Sequence, residues 1–176
     1  MGEHRNLLLK AAMTYGLAMG VYWVMKYIFF VLSLSVPMMS VIYWMLTMAV
    51  PLIAYRMTKL YRLQIGGKIG FFHAWQFGIL LYFFAALIVS LAHYVFYRYI
   101  APPDFVASTI GQFATMMNGS NMDPELLKEL QAMQITPIQM AIQGIFNNLF
   151  YGIILSIPVA AILCRNNTTG TIMGSR

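Results

Sequence analysis

The sequence contains four segments that are each long and apolar enough to cross a membrane as a helix. A helix needs about 20 residues to cross a hydrocarbon core of about 30 Å. The four predicted spans cover residues 9–32, 37–55, 72–97 and 137–163. Only 9% of the residues are charged and 60% are hydrophobic, so the folded chain could not cover itself with polar groups in water. The sequence therefore predicts an all-α integral membrane protein with four transmembrane helices and the lipid bilayer as its solvent.

Positive charges in the connections predict the orientation of the spans. Basic residues lie before or at the start of the first span, in the connection 56–70 and after the fourth span: they are Arg5, Lys10, Arg56, Lys59, Arg62, Lys68 and Arg165. Acidic residues are concentrated between the third and fourth spans instead, at Asp104, Asp123, Glu125 and Glu129. Cytoplasmic loops carry the excess of lysine and arginine. We therefore predict a multi-pass protein of the bacterial inner membrane, with both termini and the connection 56–70 in the cytoplasm.

The connection between the third and fourth spans, 101–136, is too long for a simple turn. Apolar residues recur in it at helical spacing, in two stripes that a cap at Asp123 and Pro124 separates. The stripes are Val106, Ile110, Phe113 and Met117, then Leu126, Leu127, Leu130 and Met133. We expect an extracytoplasmic insertion of two short amphipathic helices that cap the bundle or lie at the lipid surface, with partner docking as the alternative. The other units are 1–100 with three spans, 137–164 with the fourth, and a flexible cytoplasmic tail, 165–176.

Two pairs of short matches indicate an internal duplication. Residues 12–16 (AMTYG) and 74–78 (AWQFG) share the pattern Ala-x-polar-aromatic-Gly. Residues 50–54 (VPLIA) and 157–161 (IPVAA) share a proline at the second position. The matches occur in the same order, and both hairpins begin and end on the cytoplasmic side. The sequence thus predicts two related helical hairpins, arranged as parallel repeats about an axis along the membrane normal.

Small and amide residues recur every four positions on the spans. Residues of this kind let membrane helices approach closely and form hydrogen bonds with one another. The glycines predicted to pack helices together are Gly16, Gly20, Gly78, Gly144 and Gly152. A separate polar stripe runs down the outer half of the fourth span through Gln139, Gln143, Asn147 and Tyr151.

Lys26 lies inside the first span, where a lysine is costly. Its stem can extend so that the ammonium reaches the headgroups, and the neighbouring aromatic residues would then form an interfacial belt: Tyr22, Trp23 and Tyr27. Alternatively, Lys26 faces inward at the depth of the amide stripe. A cationic pocket in the outer half of the membrane would then form from Lys26, His93, Gln139, Gln143 and Asn147. Because such a pocket would hold no carboxylate, it would bind an anion such as a lipid phosphate.

The spans offer little chemistry for catalysis. None of them contains Asp or Glu, whereas catalysis needs acids, bases or nucleophiles within reach of one another. His73 and His93 are separated by about 30 Å along one helix, so they cannot share a metal, and Cys164 is the single cysteine. We expect no catalytic residues, no metal and no cofactor. The net charge of +6 belongs to membrane-flanking loops, so no nucleic-acid partner is expected.

Two stretches carry a resemblance to a known family: YRMTKLYRLQIGGKIGFFHAWQFG at 55–78, and TPIQMAIQGIFNNLFYGIILSIPVAAILCRN at 136–166. Together they resemble the Bacteroidota membrane-protein family catalogued as domain of unknown function 4199. The resemblance implies a four-span inner-membrane protein and supplies no catalytic residues. Family members tend to be encoded near family-2 glycosyltransferases, which implies a partner in polyprenyl-linked glycan assembly.

These observations favour a non-enzymatic accessory or scaffold protein that binds a membrane partner, such as that glycosyltransferase, or forms a homo-oligomer. The alternative function is the binding or translocation of an anionic lipid or a small anion at the cationic outer pocket.

Overall fold

The computed structural model describes residues 2–102, 105 and 136–172, with side chains described between residues 6 and 165 of those ranges. The described chain forms four long helices: α1 (Gly2–Ser33), α2 (Met39–Gln64), α3 (Phe71–Val95) and α4 (Pro137–Ile172). A π-helical segment, Phe96–Ile100, continues α3. Each of the four contains a stretch able to cross a membrane, and these are Asn6–Ser33, Met39–Gln64, Phe71–Ile100 and Pro137–Arg165. The prediction of an all-α protein with four membrane-spanning helices is confirmed.

The second helix extends well beyond the predicted end of its span at residue 55. α2 continues to Gln64, and only residues 65–70 connect it to α3. Its last turns are amphipathic, because Thr58 and Tyr61 are buried while Lys59 is exposed. Gly66 and Gly67 then adopt φ angles of 95° and 83°, a conformation that glycine adopts at little cost and that ends the helix. Most of the predicted basic loop is therefore a basic helical extension.

Two other predicted units remain untested. The two amphipathic helices expected within 101–136 fall almost entirely outside the described residues. α4 is helical to Ile172, and its side chains are described as far as Arg165. The flexible tail predicted for 165–176 stays a prediction.

α3 is the central helix of the bundle. It lies between α1 and α4, which make no contact with each other in the described ranges, while α2 packs mainly against α1. The most completely buried side chains of α3 are Phe77, Leu81, Ala85 and Ala86. This central position agrees with its hydropathy, since α3 has the highest mean hydropathy of the four spans, 2.2.

Glycines mark the places where the helices approach most closely. A Cβ added to Gly16 would lie 2.5 Å from the Cβ of Phe84 on α3, and one added to Gly20 would lie 2.6 Å from the Cβ of Ile88. On the other side of α3, the close points are formed by Gly78 against Ser156 and by Gly152 against Tyr82. Without a hydrophobic force between helices in lipid, such close contact supplies much of the association energy.

Each hairpin of the proposed duplication contains one bond from an aromatic side chain to a carbonyl, with equivalent acceptors but donors at non-equivalent positions. Tyr22 donates to the carbonyl of Leu46 at 2.7 Å, and Trp75 donates to that of Ile153 at 3.1 Å. Each acceptor lies five residues before the proline of its helix, Pro51 or Pro158. In contrast, the glycines of the two sequence matches lie against non-equivalent helices, one against α3 and the other against α4. The duplication itself stays a prediction.

Two polar contacts connect the helices at the end of the bundle where α2 ends. We call this end the basic end. Arg62 Nη1 donates to the Leu163 carbonyl of α4 at 3.1 Å. The hydroxyl of buried Tyr61 shares a hydrogen bond of 2.7 Å with His73 Nε2 on α3. We call the opposite end, at which α1 ends and α4 begins, the far end.

Candidate functional site

Lys26 is turned into the bundle. It lies seven residues before the end of α1 at Ser33, which is about 10 Å from the far end at a rise of 1.5 Å per residue. Its Nζ lies 5.1 Å from the ring centroid of Tyr43 on α2 and 5.9 Å from that of Trp23. Both distances are within the range of a cation–π interaction. Of the two alternatives that the sequence left open, the described geometry corresponds to the inward-facing lysine.

The ammonium borders a small pocket to which all four helices contribute. Its volume is about 80 Å³, and it is lined by Trp23, Lys26, Tyr27, Tyr43, Val89, His93 and Asn148. We call these residues the Lys26 pocket. A space of this size holds one compact group, such as a phosphate, rather than a whole lipid molecule.

His93 joins the pocket from α3. Its ring packs edge-on against Tyr27, with centroids 4.3 Å apart. A Cβ added to Gly144 on α4 would lie 3.0 Å from His93 Nδ1, so the glycine makes room for the imidazole at the contact between α3 and α4. His73 lies near the basic end instead, bonded to Tyr61. The two histidines are therefore separated as the sequence predicted.

Trp23, which lines the pocket, and Tyr82, which packs beside it, each have a polar group with no acceptor in the described part of the protein. The indole N–H of Trp23 and the hydroxyl of Tyr82 are buried without a hydrogen-bond partner there. The two rings are in contact, with centroids 5.7 Å apart. A buried donor left unpaired costs about 1–3 kcal/mol. The unpaired N–H of Trp23, in a pocket that also holds the Lys26 ammonium, makes the Lys26 pocket suited to a ligand that accepts hydrogen bonds.

The acidic residues of the chain lie outside the four spans. Glu3 precedes the first span, and the other four follow the third: Asp104, Asp123, Glu125 and Glu129. None of the residues that line the pocket carries a negative charge. Within the spans, the charge of Lys26 is therefore not neutralised by a carboxylate of its own chain.

The structure brings together only part of the predicted site. Lys26 and His93 line the pocket, whereas Gln139, Gln143 and Asn147 are exposed on the opposite face of α4. The amide that lines the pocket is Asn148. One position rotates a side chain by about 100° around a helix, which is enough to separate Asn148 from its neighbour.

Sequence reasoning also missed the aromatic residues of the pocket. Trp23 and Tyr27 were expected in an interfacial belt but are 5% and 9% exposed, inside the bundle. Tyr43 of α2 was not considered. The available signal was spacing, because Gly16, Gly20 and Trp23 follow the i, i+4, i+7 pattern of one helix face. Likewise, Gly144 and Gly152 flank Asn148 at four-residue spacing and place it on the face that contacts α3.

No metal site accompanies the pocket. Among the residues described, no three His, Cys, Asp or Glu side chains lie together as metal ligands would. Cys164 is half-buried near the basic end.

Comparison with known proteins gives a family and no described relative. No curated protein and no solved structure matches the chain significantly. A family profile described as "Protein of unknown function (DUF4199)" matches residues 14–165, which include all the residues of the Lys26 pocket and most of each span. The chain therefore belongs to this family of unknown function, DUF4199.

Proposed function

We propose that this multi-pass membrane protein binds an anionic group, such as the phosphate of a lipid, in the Lys26 pocket. The observation that carries the proposal is the ammonium of Lys26, held inside the bundle between two aromatic rings with no carboxylate in any span. A lysine inside a membrane helix costs about 2.5–3.5 kcal/mol on insertion scales. An anion would offset this cost, and a residue of this kind commonly marks a binding site or pathway.

The lining of the pocket favours a compact anion that accepts hydrogen bonds. Lys26 supplies charge, and the indole N–H of Trp23 is a buried donor without a partner among the described residues. A phosphate oxygen accepts hydrogen bonds from both kinds of donor, and such charge-assisted bonds are stronger than neutral ones. The volume of about 80 Å³ matches a headgroup phosphate or a free anion of similar size.

The charge of the connections supports an orientation for this site. With the basic end in the cytoplasm of a bacterium, as the positive-inside rule favours, Lys26 lies in the outer half of the inner membrane. The ligand would then come from the outer leaflet or the outer aqueous phase. The proposed role is non-enzymatic: binding, presentation or translocation of the anion.

Retention of lipid by purified protein tests the proposal. We expect Lys26→Met to lose the anionic lipid that the unaltered protein retains in mild detergent, as measured by native mass spectrometry and phosphorus analysis. Lys10→Met is the matched control, because Lys10 is an exposed lysine on the same helix and its replacement should leave retention unchanged. Competition by inorganic phosphate would distinguish a free anion from a lipid. Equal retention by both variants would refute an anion site at Lys26.

The second candidate is an accessory or scaffold role for a membrane enzyme, such as a glycosyltransferase of polyprenyl-linked glycan assembly. Its support is the loose attachment of α2, of whose apolar window 17% is buried, compared with 39% for α3. Met45 and Met48, exposed on α2, have the adaptable side chains found at variable protein contacts.

A photoreactive residue separates this candidate from the first. Placed at Met48 in cells, it should form an adduct with one defined enzyme, whereas the same residue at Met13 of α1, which is also exposed, should not. Adducts with lipid alone at both positions would refute the accessory role through α2.

A further inference from the structure

The face of α4 that points away from the bundle is polar within the membrane span. Gln139, Gln143 and Asn147 are all exposed, and Tyr151, one turn further, is 60% exposed. Together they extend about 18 Å along the helix axis, more than half of a hydrocarbon core of about 30 Å. Residues on a face that meets only lipid chains are normally apolar, so this face requires a hydrogen-bonding neighbour.

Hydrogen bonds within α4 satisfy this face only in part. Gln143 Nε2 donates to Asn147 Oδ1 at 3.3 Å, and Gln139 Oε1 accepts from the backbone and hydroxyl of Thr136. Among the described residues, the carbonyl oxygen of Gln143 and the amide N–H groups of Asn147 have no partner. Gln143 thus keeps its carbonyl oxygen and a second N–H for a partner, and Asn147 keeps its two N–H groups and a second lone pair.

The opposite face of α4 is already occupied. It carries the small stripe Gly144, Asn148, Gly152 and Ser156, which lies against α3. In the described ranges α4 contacts only α3, α2 and the π-helical segment. The amide face therefore has no neighbour among the helices described here.

The chemistry of the amide face fits a second copy of the same chain. In a two-fold dimer, each residue near the axis meets its own counterpart, and a membrane axis along the normal keeps the two at equal depth. Like charges could not meet in this way, whereas an amide both donates and accepts. Gln143 and Asn147 of one copy would each donate to and accept from the same amide of the other copy.

Segment 106–135 is a poorer occupant for this face. It contains four charged residues, Asp123, Glu125, Lys128 and Glu129. Packing this segment along a membrane span would bring their charges into the membrane, which is costly. We infer that two copies of the chain associate through the α4 face formed by Gln139, Gln143 and Asn147, with the two helices parallel. This inference is independent of the Lys26 pocket, because Lys26 lies on the other side of α4.

Dissociation in membranes tests the inference. The full-length protein is labelled and reconstituted into phosphatidylcholine–phosphatidylglycerol liposomes over a range of dilutions, and dimers are counted by single-molecule photobleaching. Since interhelical amide bonds are individually modest, we expect the double variant Gln143→Leu, Asn147→Leu to raise the dissociation constant by about tenfold or more. Met13→Leu, Met25→Leu is the matched control at two exposed positions of α1 and should leave the constant unchanged. A monomer at every dilution, or equal dimerisation by both variants, would overturn the inference.

Cross-linking gives a second measurement that does not depend on the double variant. In a background with Cys164→Ala, we expect Asn147→Cys to form a disulfide between two chains on mild oxidation. Met13→Cys on α1 should not. Equal cross-linking at both positions, or no disulfide between chains at position 147, would contradict a parallel α4 contact.

Discussion

Replacing Gly78 by alanine tests whether α3 and α4 approach as closely as described. The added Cβ would overlap the Cβ of Ser156 and lie 3.6 Å from its Cα. Carbon atoms pack best at about 3.5–4.0 Å, so the helices would have to separate by about 1 Å here. Overpacking costs about 1–3 kcal/mol, and the higher helix propensity of alanine returns about 0.5–1 kcal/mol. We expect the free energy of unfolding to fall by about 1–2 kcal/mol.

A compensating variant makes this prediction specific. The three atoms nearest the added Cβ all belong to Ser156, so Ser156→Gly removes the overlap and leaves an ordinary contact with the Cα. Alone, Ser156→Gly should cost about 1 kcal/mol, through lower helix propensity and the loss of the hydroxyl's bond to the Ile153 carbonyl. In the double variant, the free energy of unfolding should fall by about 0–1 kcal/mol. Independent sites would instead lower it by the sum of the two single effects, about 2–3 kcal/mol.

Reversible unfolding in mixed detergent micelles, followed by tryptophan fluorescence and circular dichroism, measures the four free energies. Gly70→Ala serves as the control, because a Cβ added there meets nothing within 4 Å, and we expect a change within about 0.5 kcal/mol. A fall in the free energy of unfolding of the double variant by the sum of the two single effects, to within about 0.5 kcal/mol, would be the opposite result. That result would refute the close approach of α3 and α4 at Gly78.

Three further predictions follow from other contacts. In delipidated protein, Lys26→Met should raise the free energy of unfolding by about 1 kcal/mol, because the insertion cost of lysine exceeds the cation–π attraction that is lost; a decrease would show that the ammonium stabilises the bundle. Tyr61→Phe should lower it by about 0.5–1.5 kcal/mol, because the bond of 2.7 Å to His73 is lost; an unchanged value would exclude that bond. In a variant without the native cysteine, maleimide should label Lys59→Cys and Ser120→Cys from opposite sides of the membrane, and labelling from one side would contradict the orientation.

The four spans were predictable because length and hydropathy are local properties. The end of α2 was not, because the basic residues after Tyr55 end the apolar run without ending the helix, which continues to Gln64. In the sequence, the end of the α2 helix is indicated only by Gly66 and Gly67, where the chain adopts positive φ angles. Helix ends outside the membrane therefore have to be read from caps and turns rather than from hydropathy.

The site was only half predictable for a different reason. Two stripes with the same four-residue spacing run down α4, one containing Asn147 and the other Asn148. Spacing defines both stripes equally well, and only the position of α3 decides which of them lies inside. Similarly, the role of Tyr43 depends on the contact between α1 and α2, which no local pattern encodes. Lys26 and His93 could be paired because their depths follow directly from their distances to the span ends.

The depth of Lys26 has an electrical consequence. Its position about 10 Å from the far end places it about one third of the way across a core of about 30 Å. One elementary charge crossing the whole membrane potential changes energy by about 2.3 kcal/mol per 100 mV. In the proposed orientation, with the far end outside, a monovalent anion entering the pocket would therefore experience about 0.8 kcal/mol. With the cell interior negative, occupancy of the pocket should weaken roughly fourfold per 100 mV. Removal of the membrane potential would therefore favour binding of the anion in the Lys26 pocket. Restoring the potential would favour its release to the outer side.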